Sequence, residues 1–173
     1  NQLPPVAPSV ALAKVANRHL LDINLNLKYL THGWSNCAYD IKNERSWNCV
    51  FDSPRRLITG YEGKGFENLY RNIGANATPA LALEAWKKSP MHNALILNLD
   101  VWKDREFDAF GVAISGNYAA LWFGSTDDGE TAPTKSSRGL GVSFKKAVEG
   151  LTSILSIAQE SSVGESAKWS GSS

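Results

Sequence analysis

Apolar side chains near the start of the chain recur at helical spacing. The repeat begins after Ser9, which predicts an amphipathic helix from about Val10 to about Leu27 with Ser9 as its N-cap. The repeating apolar positions are Leu12, Ala16, Leu20, Ile23 and Leu27. Such a helix should place His32 just beyond its end, where Gly33 turns the chain.

A second helical pattern lies near the middle of the chain. Thr78 and Pro79 supply an N-cap and a first helical residue, and Ser89 with Pro90 ends this helix. The same Ser-Pro pair can cap a further short helix that carries His92 in its first turn. Because the positive end of a helix disfavours an imidazolium, we expect His92 to be neutral.

Two strand patterns follow. The segments Phe107 to Ser115 and Tyr118 to Phe123 are rich in aromatic and aliphatic residues, and Gly116-Asn117 between them suits a two-residue turn. We therefore predict a β-hairpin. The segment from Trp34 to Gly65 has the composition of loops, and ordered loops of that length are usually functional.

The domain prediction is a single unit over residues 1–159. A last amphipathic helix from about Ser143 to Gln159 shares its core, and residues 160–173 form a loose tail rich in Ser and Gly. The chain has 173 residues, which is the length of one domain. A monomer is the default expectation.

Charge excludes two classes of partner. Lys and Arg total 18 against 17 Asp and Glu, a formal net charge of +1 without long blocks of one sign. Nucleic acid and anionic membrane surfaces are therefore not expected partners. The longest apolar runs are far shorter than the roughly 20 residues of a spanning helix, so no transmembrane segment is expected.

The two cysteines bear on the cellular compartment. Cys37 and Cys49 lie twelve residues apart, a spacing that suits neither a tight metal clip nor a C-x-x-C redox motif. A disulfide is favoured, and such bonds persist outside the reducing cytosol, so we expect a secreted, extracellular or periplasmic protein. Two free buried thiols in a cytosolic protein remain the alternative. A start at Asn1 without Met fits a processed or trimmed chain.

Candidate chemistry falls on two of the three histidines and one carboxylate. His19 lies one residue off the apolar stripe of the first helix and is expected at a surface or boundary. His32 and His92 lie at helix ends beside turn-forming residues, and Glu67 is flanked by large apolar residues that should bury it. Two histidines and a carboxylate match many zinc sites with an open position. Structural roles for each residue stay open.

Four motifs in order resemble the CAP superfamily, which comprises the cysteine-rich secretory proteins, antigen five and pathogenesis-related proteins. The bacterial SCP-like branch is the most similar in style. The resemblance spans about Ala11 to Gly124. Its motifs are Thr31-His32-Gly33, then Gly65-Phe66-Glu67-Asn68-Leu69, then Trp86 followed by Ser89-Pro90-Met91-His92, and then Phe110-Gly111-Val112-Ala113.

The resemblance implies an α+β fold, a three-layer α-β-α sandwich whose cleft holds two histidines and two acidic residues. His32, Glu67 and His92 match three cleft positions, and Asn68 and Ser89 are further cleft residues by the same match. Ser89 replaces the second Glu of eukaryotic members, and Glu84 is too far along the helix to substitute for it. By the same resemblance, the family's opening helix is not expected before Val10, so the domain is either trimmed or naturally short, and the helix predicted from Ser143 to Gln159 is additional to the family's core.

Three functions follow from these residues. The first is a secreted binding protein in which His32 and His92 hold a divalent cation and Glu67 completes or orients the site; zinc is the first choice, then magnesium or calcium. A metal-dependent hydrolase with Glu67 as base is the second. The third is a lipid or sterol carrier. Its motivation is the family and the aromatic residues of the cysteine loop, which are Trp34, Tyr39, Trp47 and Phe51.

A small ligand, a lipid or an extracellular protein is accordingly the expected partner. A serine triad built on Ser89 is disfavoured, because this residue is better explained as a helix cap before Pro90. Binding is favoured over hydrolysis because the sequence supplies few side-chain donors for an oxyanion.

Overall fold

A computed structural model describes residues 6–126 of the chain. Four strands and five α-helices make up this part, with two short 3₁₀ helices and one π-helical turn. In chain order they are β1 (Ala7–Pro8), α1 (Val10–Asp22), a π-turn (Ile23–Leu27), a 3₁₀ helix (Glu44–Trp47), α2 (Asn48–Phe51), α3 (Ser53–Arg56), β2 (Gly65–Arg71), α4 (Pro79–Lys88), α5 (Pro90–Ile96), a 3₁₀ helix (Asp100–Trp102), β3 (Ala109–Ser115) and β4 (Tyr118–Gly124).

The four strands form one sheet in the order β1-β3-β4-β2. Strands β3 and β4 are the predicted hairpin, and both pairings of β4 are antiparallel, whereas β1 runs parallel to β3. Glu67 lies opposite Trp122 in the register of β2 with β4. Strand β2 therefore forms one edge of the sheet and carries the candidate carboxylate.

Helices cover both faces of this sheet. Along β4 the side chains alternate: Tyr118, Ala120 and Trp122 share one apolar cluster with α1, while Ala119, Leu121 and Phe123 share another with α4 and α5. The architecture is the predicted α-β-α sandwich.

Gly111 allows α1 to lie against the sheet at very short range. A Cβ atom at this position would stand 2.2 Å from the backbone nitrogen of Ala13 and 2.4 Å from the carbonyl carbon of Leu12. Only a glycine fits there, so the strand and the helix backbone are in direct contact.

The helices predicted within residues 6–126 are confirmed, with local differences. Ser9 caps α1 and Thr78 caps α4 through their hydroxyls, and the predicted span from Val10 to Leu27 is helical throughout, although its last five residues form a π-turn. The loop prediction for residues 34–65 is wrong in part, because three short helical segments interrupt it between Glu44 and Arg56. Strands β1 and β2 were not predicted.

Two predictions lie outside the described residues: the helix from Ser143 to Gln159 and the tail at 160–173. Within residues 6–126, no helix has both the length and the apolar character needed to cross a bilayer.

Candidate functional site

Glu67 is the centre of a buried polar cluster. Its side chain is fully buried and lies on the α1 side of β2. Carboxylate oxygen Oε1 lies 2.6 Å from Nδ1 of His19 on α1, and Oε2 lies 2.9 Å from Nδ1 of His32 in the turn that follows the π-turn. One carboxylate thus bridges two histidines from separate segments.

The partners of His19 fix where its protons lie. Its Nε2 faces the carbonyl oxygen of Gly33 at 2.9 Å, which can only accept, and its Nδ1 faces the carboxylate of Glu67. Both ring nitrogens therefore donate, and His19 is an imidazolium beside an ionised carboxylate. The ring also stacks on Trp34, with 4.3 Å between centroids.

The pKa values of this pair shift in the directions that an ion pair requires. Burial by itself lowers the pKa of His19, but the charge and hydrogen bond of Glu67, with the Gly33 carbonyl, raise it above its ordinary value. Burial by itself raises the pKa of Glu67, but the charge and hydrogen bond of His19, with those of His32, lower it. The protein thus holds a buried ion pair whose hydrogen bonds offset the cost of desolvation.

The surface or boundary position expected for His19 is wrong, since the residue is completely buried. A signal for this was present in the sequence. His19 stands seven residues after Leu12 and four before Ile23, so it lies on the buried face of α1 at helical spacing. A histidine on the apolar face of a helix needs a hydrogen-bond partner from another segment of the chain, and for His19 this partner is Glu67.

His32 lies at the outer side of this cluster. Because Glu67 accepts at Oε2, Nδ1 of His32 carries a proton, and in the neutral imidazole Nε2 keeps its lone pair. The side chain is 31% exposed and meets the ring of Tyr39 edge-on at 5.4 Å. Within residues 6–126, no hydrogen bond is made by the Nε2 atom, so this nitrogen is available to a ligand.

His92 lies on α5, the helix that packs against the other face of the sheet. Its Nδ1 lies 2.7 Å from the hydroxyl of Ser89, and its backbone carbonyl accepts from the amide of Asn68 at 3.0 Å. Burial, and then the nearby charge of His32, lower the pKa of His92 below its ordinary value. The neutral form expected from the sequence is thus favoured, but burial rather than the helix end is the main cause.

Ser89 departs from the role that the sequence suggested. It occupies the N-cap position of α5, yet its hydroxyl makes no capping bond to the helix backbone. It contacts His92 instead. The predicted cap position before Pro90 is confirmed, but the hydroxyl of Ser89 holds the ring of His92 and makes no capping bond.

A disulfide joins Cys37 to Cys49, as predicted, with 5.6 Å between the Cα atoms. It ties α2 to the segment after His32, where Trp34 and Cys37 exchange backbone hydrogen bonds of 2.8 and 3.0 Å. An open pocket of ≈ 390 Å³ lies against this segment, with Thr31 and Tyr39 in its wall.

The three predicted ligands do not converge as one metal site. Within the described residues, no three side chains of His, Cys, Asp or Glu are grouped so that they could hold a metal ion. Both oxygens of Glu67 face histidine nitrogens, which leaves the carboxylate as a hydrogen-bond partner of the imidazoles. Glu84 does not substitute for it, because it pairs with Lys87 on the surface at 3.4 Å.

Comparison with known proteins identifies the fold. No family model and no curated protein matches the sequence. Among solved structures, an extracellular protein containing an SCP domain from Bacillus anthracis matches with a TM-score of 0.52 and 19% identity over 72% of this chain and 35% of that chain. A cysteine-rich secretory protein from Staphylococcus aureus matches with a TM-score of 0.47 and 18% identity over 72% of this chain and 33% of that chain.

The chain thus spans about a third of the length of these two proteins. At this level of identity the likeness concerns the fold alone. Together with the α-β-α layers and the position of the Glu67 strand, it shows that this protein has the CAP/SCP-like fold that its motifs predicted.

Proposed function

We propose that this protein is a secreted binding protein that holds a divalent cation, zinc by preference, between His32 and His92, with Glu67 as the orienting partner of His32. One observation carries the proposal: Glu67 accepts from Nδ1 of His32 and thereby leaves Nε2 as the free lone pair. A carboxylate behind a histidine is the usual outer partner of a metal-binding imidazole. Secretion is supported by the Cys37–Cys49 disulfide.

His92 suits the same role from α5, beside the edge strand β2, since it lies near enough to His32 for the charge of His32 to act on its pKa. The fall in its pKa favours the neutral imidazole, which is the form that binds a metal. A proton on Nδ1, donated to the hydroxyl of Ser89, leaves Nε2 of His92 as a second nitrogen ligand. Two nitrogen ligands favour zinc over magnesium or calcium, which take oxygen ligands.

Binding is better supported than hydrolysis. A hydrolase of the expected kind uses Glu67 as its base, but this carboxylate is fully buried and both of its oxygens already accept hydrogen bonds. Two protein ligands leave further positions on the cation for an external donor. A side chain of a partner protein or a small ligand can fill these positions, so the bound cation would capture such a donor.

A lipid carrier has less support. The aromatic residues that motivated it pack against other rings: Trp34 on His19, and Trp47 on Phe51 with centroids 6.4 Å apart. Phe51 in turn contacts Phe66 of the core at 5.2 Å. These contacts support packing of the cysteine loop as the role of Trp34, Trp47 and Phe51.

The test is metal content after purification without chelator, followed by zinc titration calorimetry. The variants are the double substitution His32→Ala with His92→Ala, and Glu84→Ala as a control that removes an exposed carboxylate. The proposal expects one zinc per chain in wild type and in the control, and none in the double variant. Equal weak binding by all three proteins contradicts the cation site.

A further inference from the structure

Three segments that are distant in sequence meet at the ring of His19. Nδ1 binds Glu67 on β2, and Nε2 binds the carbonyl of Gly33, the residue directly after His32. His19 therefore contacts both the carboxylate that holds His32 and the turn that carries it. We propose that His19 is a positioning residue, which fixes the orientation and the tautomer of His32 through these two contacts. The expected effect on zinc binding rests on the proposed cation function, whereas the expected effect on the His32 tautomer does not.

The two contacts of His19 act as one rigid spacer. An imidazole ring has no internal rotation, so its two hydrogen bonds set the separation between the Glu67 carboxylate and the Gly33 carbonyl. The ring itself is immobilised, since it is completely buried, stacked on Trp34 at 4.3 Å and met edge-on by Trp122 at 6.3 Å. A fixed ring gives a fixed distance from β2 to the turn that bears His32.

The far side of that turn is equally confined. A Cβ atom on Gly33 would lie 2.9 Å from the backbone nitrogen of Tyr39 and 3.3 Å from the carbonyl oxygen of Cys37. The turn is thus packed between His19 on one side and the disulfide-bonded segment on the other. His19 is the member of this arrangement that also reaches the carboxylate.

The contact of His19 with Glu67 sets the orientation of the carboxylate toward His32. Nδ1 of His19 contacts Oε1, and this contact orients the carboxylate so that Oε2 faces Nδ1 of His32. Without the His19 donor, Oε1 has no hydrogen-bond partner within residues 6–126, and the carboxylate can rotate to satisfy itself. Since a buried acceptor without a donor is unfavourable, the orientation of Glu67 changes and His32 loses its fixed partner.

Two substitutions at one position separate the two contacts. In His19→Asn the amide nitrogen stands near the place of Nδ1, so the Glu67 contact survives and the Gly33 contact is lost. In His19→Gln the amide nitrogen stands near the place of Nε2, so the Gly33 contact survives and the Glu67 contact is lost. Leu20→Ala is the matched control, because Leu20 is also fully buried on α1 but packs only in the apolar core.

Each protein is measured as the full chain at one fixed pH. Zinc affinity comes from calorimetry, and the His32 tautomer in the metal-free protein comes from long-range proton–nitrogen NMR. We expect His19→Gln to weaken zinc binding about tenfold, the lower end of the effect of outer partners, and to convert His32 from the Nδ1–H form to a mixture. His19→Asn should lose less zinc affinity than His19→Gln and should retain the Nδ1–H form, because the contact with Glu67 survives.

The inference is overturned if His19→Gln matches Leu20→Ala in zinc affinity and in the His32 tautomer. If His19→Gln does not fold, the result for His19→Asn decides. A loss of zinc affinity with the Nδ1–H form of His32 retained supports the inference, and an unchanged zinc affinity overturns it. If wild type binds no zinc, the cation function fails but the inference is still decided. A His32 tautomer that changes in His19→Gln then supports it, and an unchanged one overturns it.

Discussion

Replacing Glu67 by glutamine separates the charge of this side chain from its hydrogen-bond pattern. The glutamine oxygen can accept from Nδ1 of His32, and its nitrogen can donate to Nδ1 of His19 once His19 is neutral. Neutral His19 still donates from Nε2 to the carbonyl of Gly33. All three contacts therefore survive in Glu67→Gln without charge, whereas Glu67→Leu removes the two that the carboxylate makes.

The two variants should differ clearly in their free energies of unfolding. A hydrogen bond to a charged group contributes about 1.5–3 kcal/mol and a neutral one about 0.5–1.5 kcal/mol, so Glu67→Gln loses roughly 1 kcal/mol at each of two bonds. We expect a cost of about 2 kcal/mol. Glu67→Leu loses both bonds and leaves Nδ1 of the buried His19 without a partner, which costs about 5 kcal/mol in all.

Urea unfolding of the full chain at pH 5.5 measures both costs, because that pH lies between the ordinary pKa values of 4.5 for Glu67 and 6.5 for His19. Glu84→Gln is the control: it changes an exposed carboxylate and should cost less than about 0.5 kcal/mol. Equal costs for Glu67→Gln and Glu67→Leu refute the reasoning, since the hydrogen-bond pattern then contributes nothing. So does a cost below about 1 kcal/mol for Glu67→Leu.

The His19–Glu67 pair should make stability depend on pH. The pKa of His19 is raised on folding, so the stability that its charge contributes is lost as pH rises through its pKa in the folded protein; the pKa of Glu67 is lowered, so its contribution is lost as pH falls through its pKa in the folded protein. The difference in unfolding free energy between wild type and Glu67→Gln should therefore be greatest between pH 4.5 and 6.5, the ordinary pKa values of the two groups. A difference that does not vary with pH contradicts this. Gly111→Ala drives a Cβ into the α1 backbone and should cost about 3 kcal/mol or more, seen as a fall of about 6–12 °C in melting temperature, and an unchanged value would be inconsistent with the contact. Replacing Cys37 and Cys49 by serine should cost about 3 kcal/mol in urea unfolding, and a loss below about 1 kcal/mol would show that the disulfide does not constrain the unfolded chain.

Local signals predicted most of the helices and the hairpin, because their causes are local. Ser9 and Thr78 cap the helices that follow them, and Gly116, with a φ of 57°, allows the tight turn between β3 and β4. Strand β1 gave no such signal, since Pro8 lacks an N–H and its short pairing with β3 lies at the sheet edge. That pairing depends on a partner about a hundred residues away.

Strand β2 escaped prediction for a different reason. A strand is recognised by alternation of apolar and polar side chains, but in β2 the adjacent residues Glu67 and Asn68 are both buried. Each is buried because one face of the sheet supplies a polar partner for it: His19 for Glu67, and the carbonyl of His92 for Asn68. Those partners lie 48 and 24 residues away, so no pattern within the strand reveals them.

Dependence on partners that are distant in the sequence also explains why only part of the candidate site was predicted. Motif resemblance selected Glu67, His32 and His92, which carry a recognisable sequence context, and it passed over His19, which does not. The spacing of His19 from Leu12 and Ile23 indicates its burial, but its partner is identified only once Glu67 is known to lie opposite α1. A histidine whose partner comes from another segment is read correctly from a structure and not from its own neighbours in the chain.

The register of β2 therefore sets both histidines at once. Glu67 faces α1 and holds His32, while the next residue, Asn68, faces α5 and holds the backbone of His92. A slip of one residue against β4 would turn Glu67 to the α5 side and Asn68 to the α1 side, because side chains alternate along a strand. Both contacts would be lost, because Glu67 would no longer face the histidines and Asn68 would no longer face α5. Pairing of Glu67 with Trp122 in the sheet is thus the feature of the fold on which the candidate site depends.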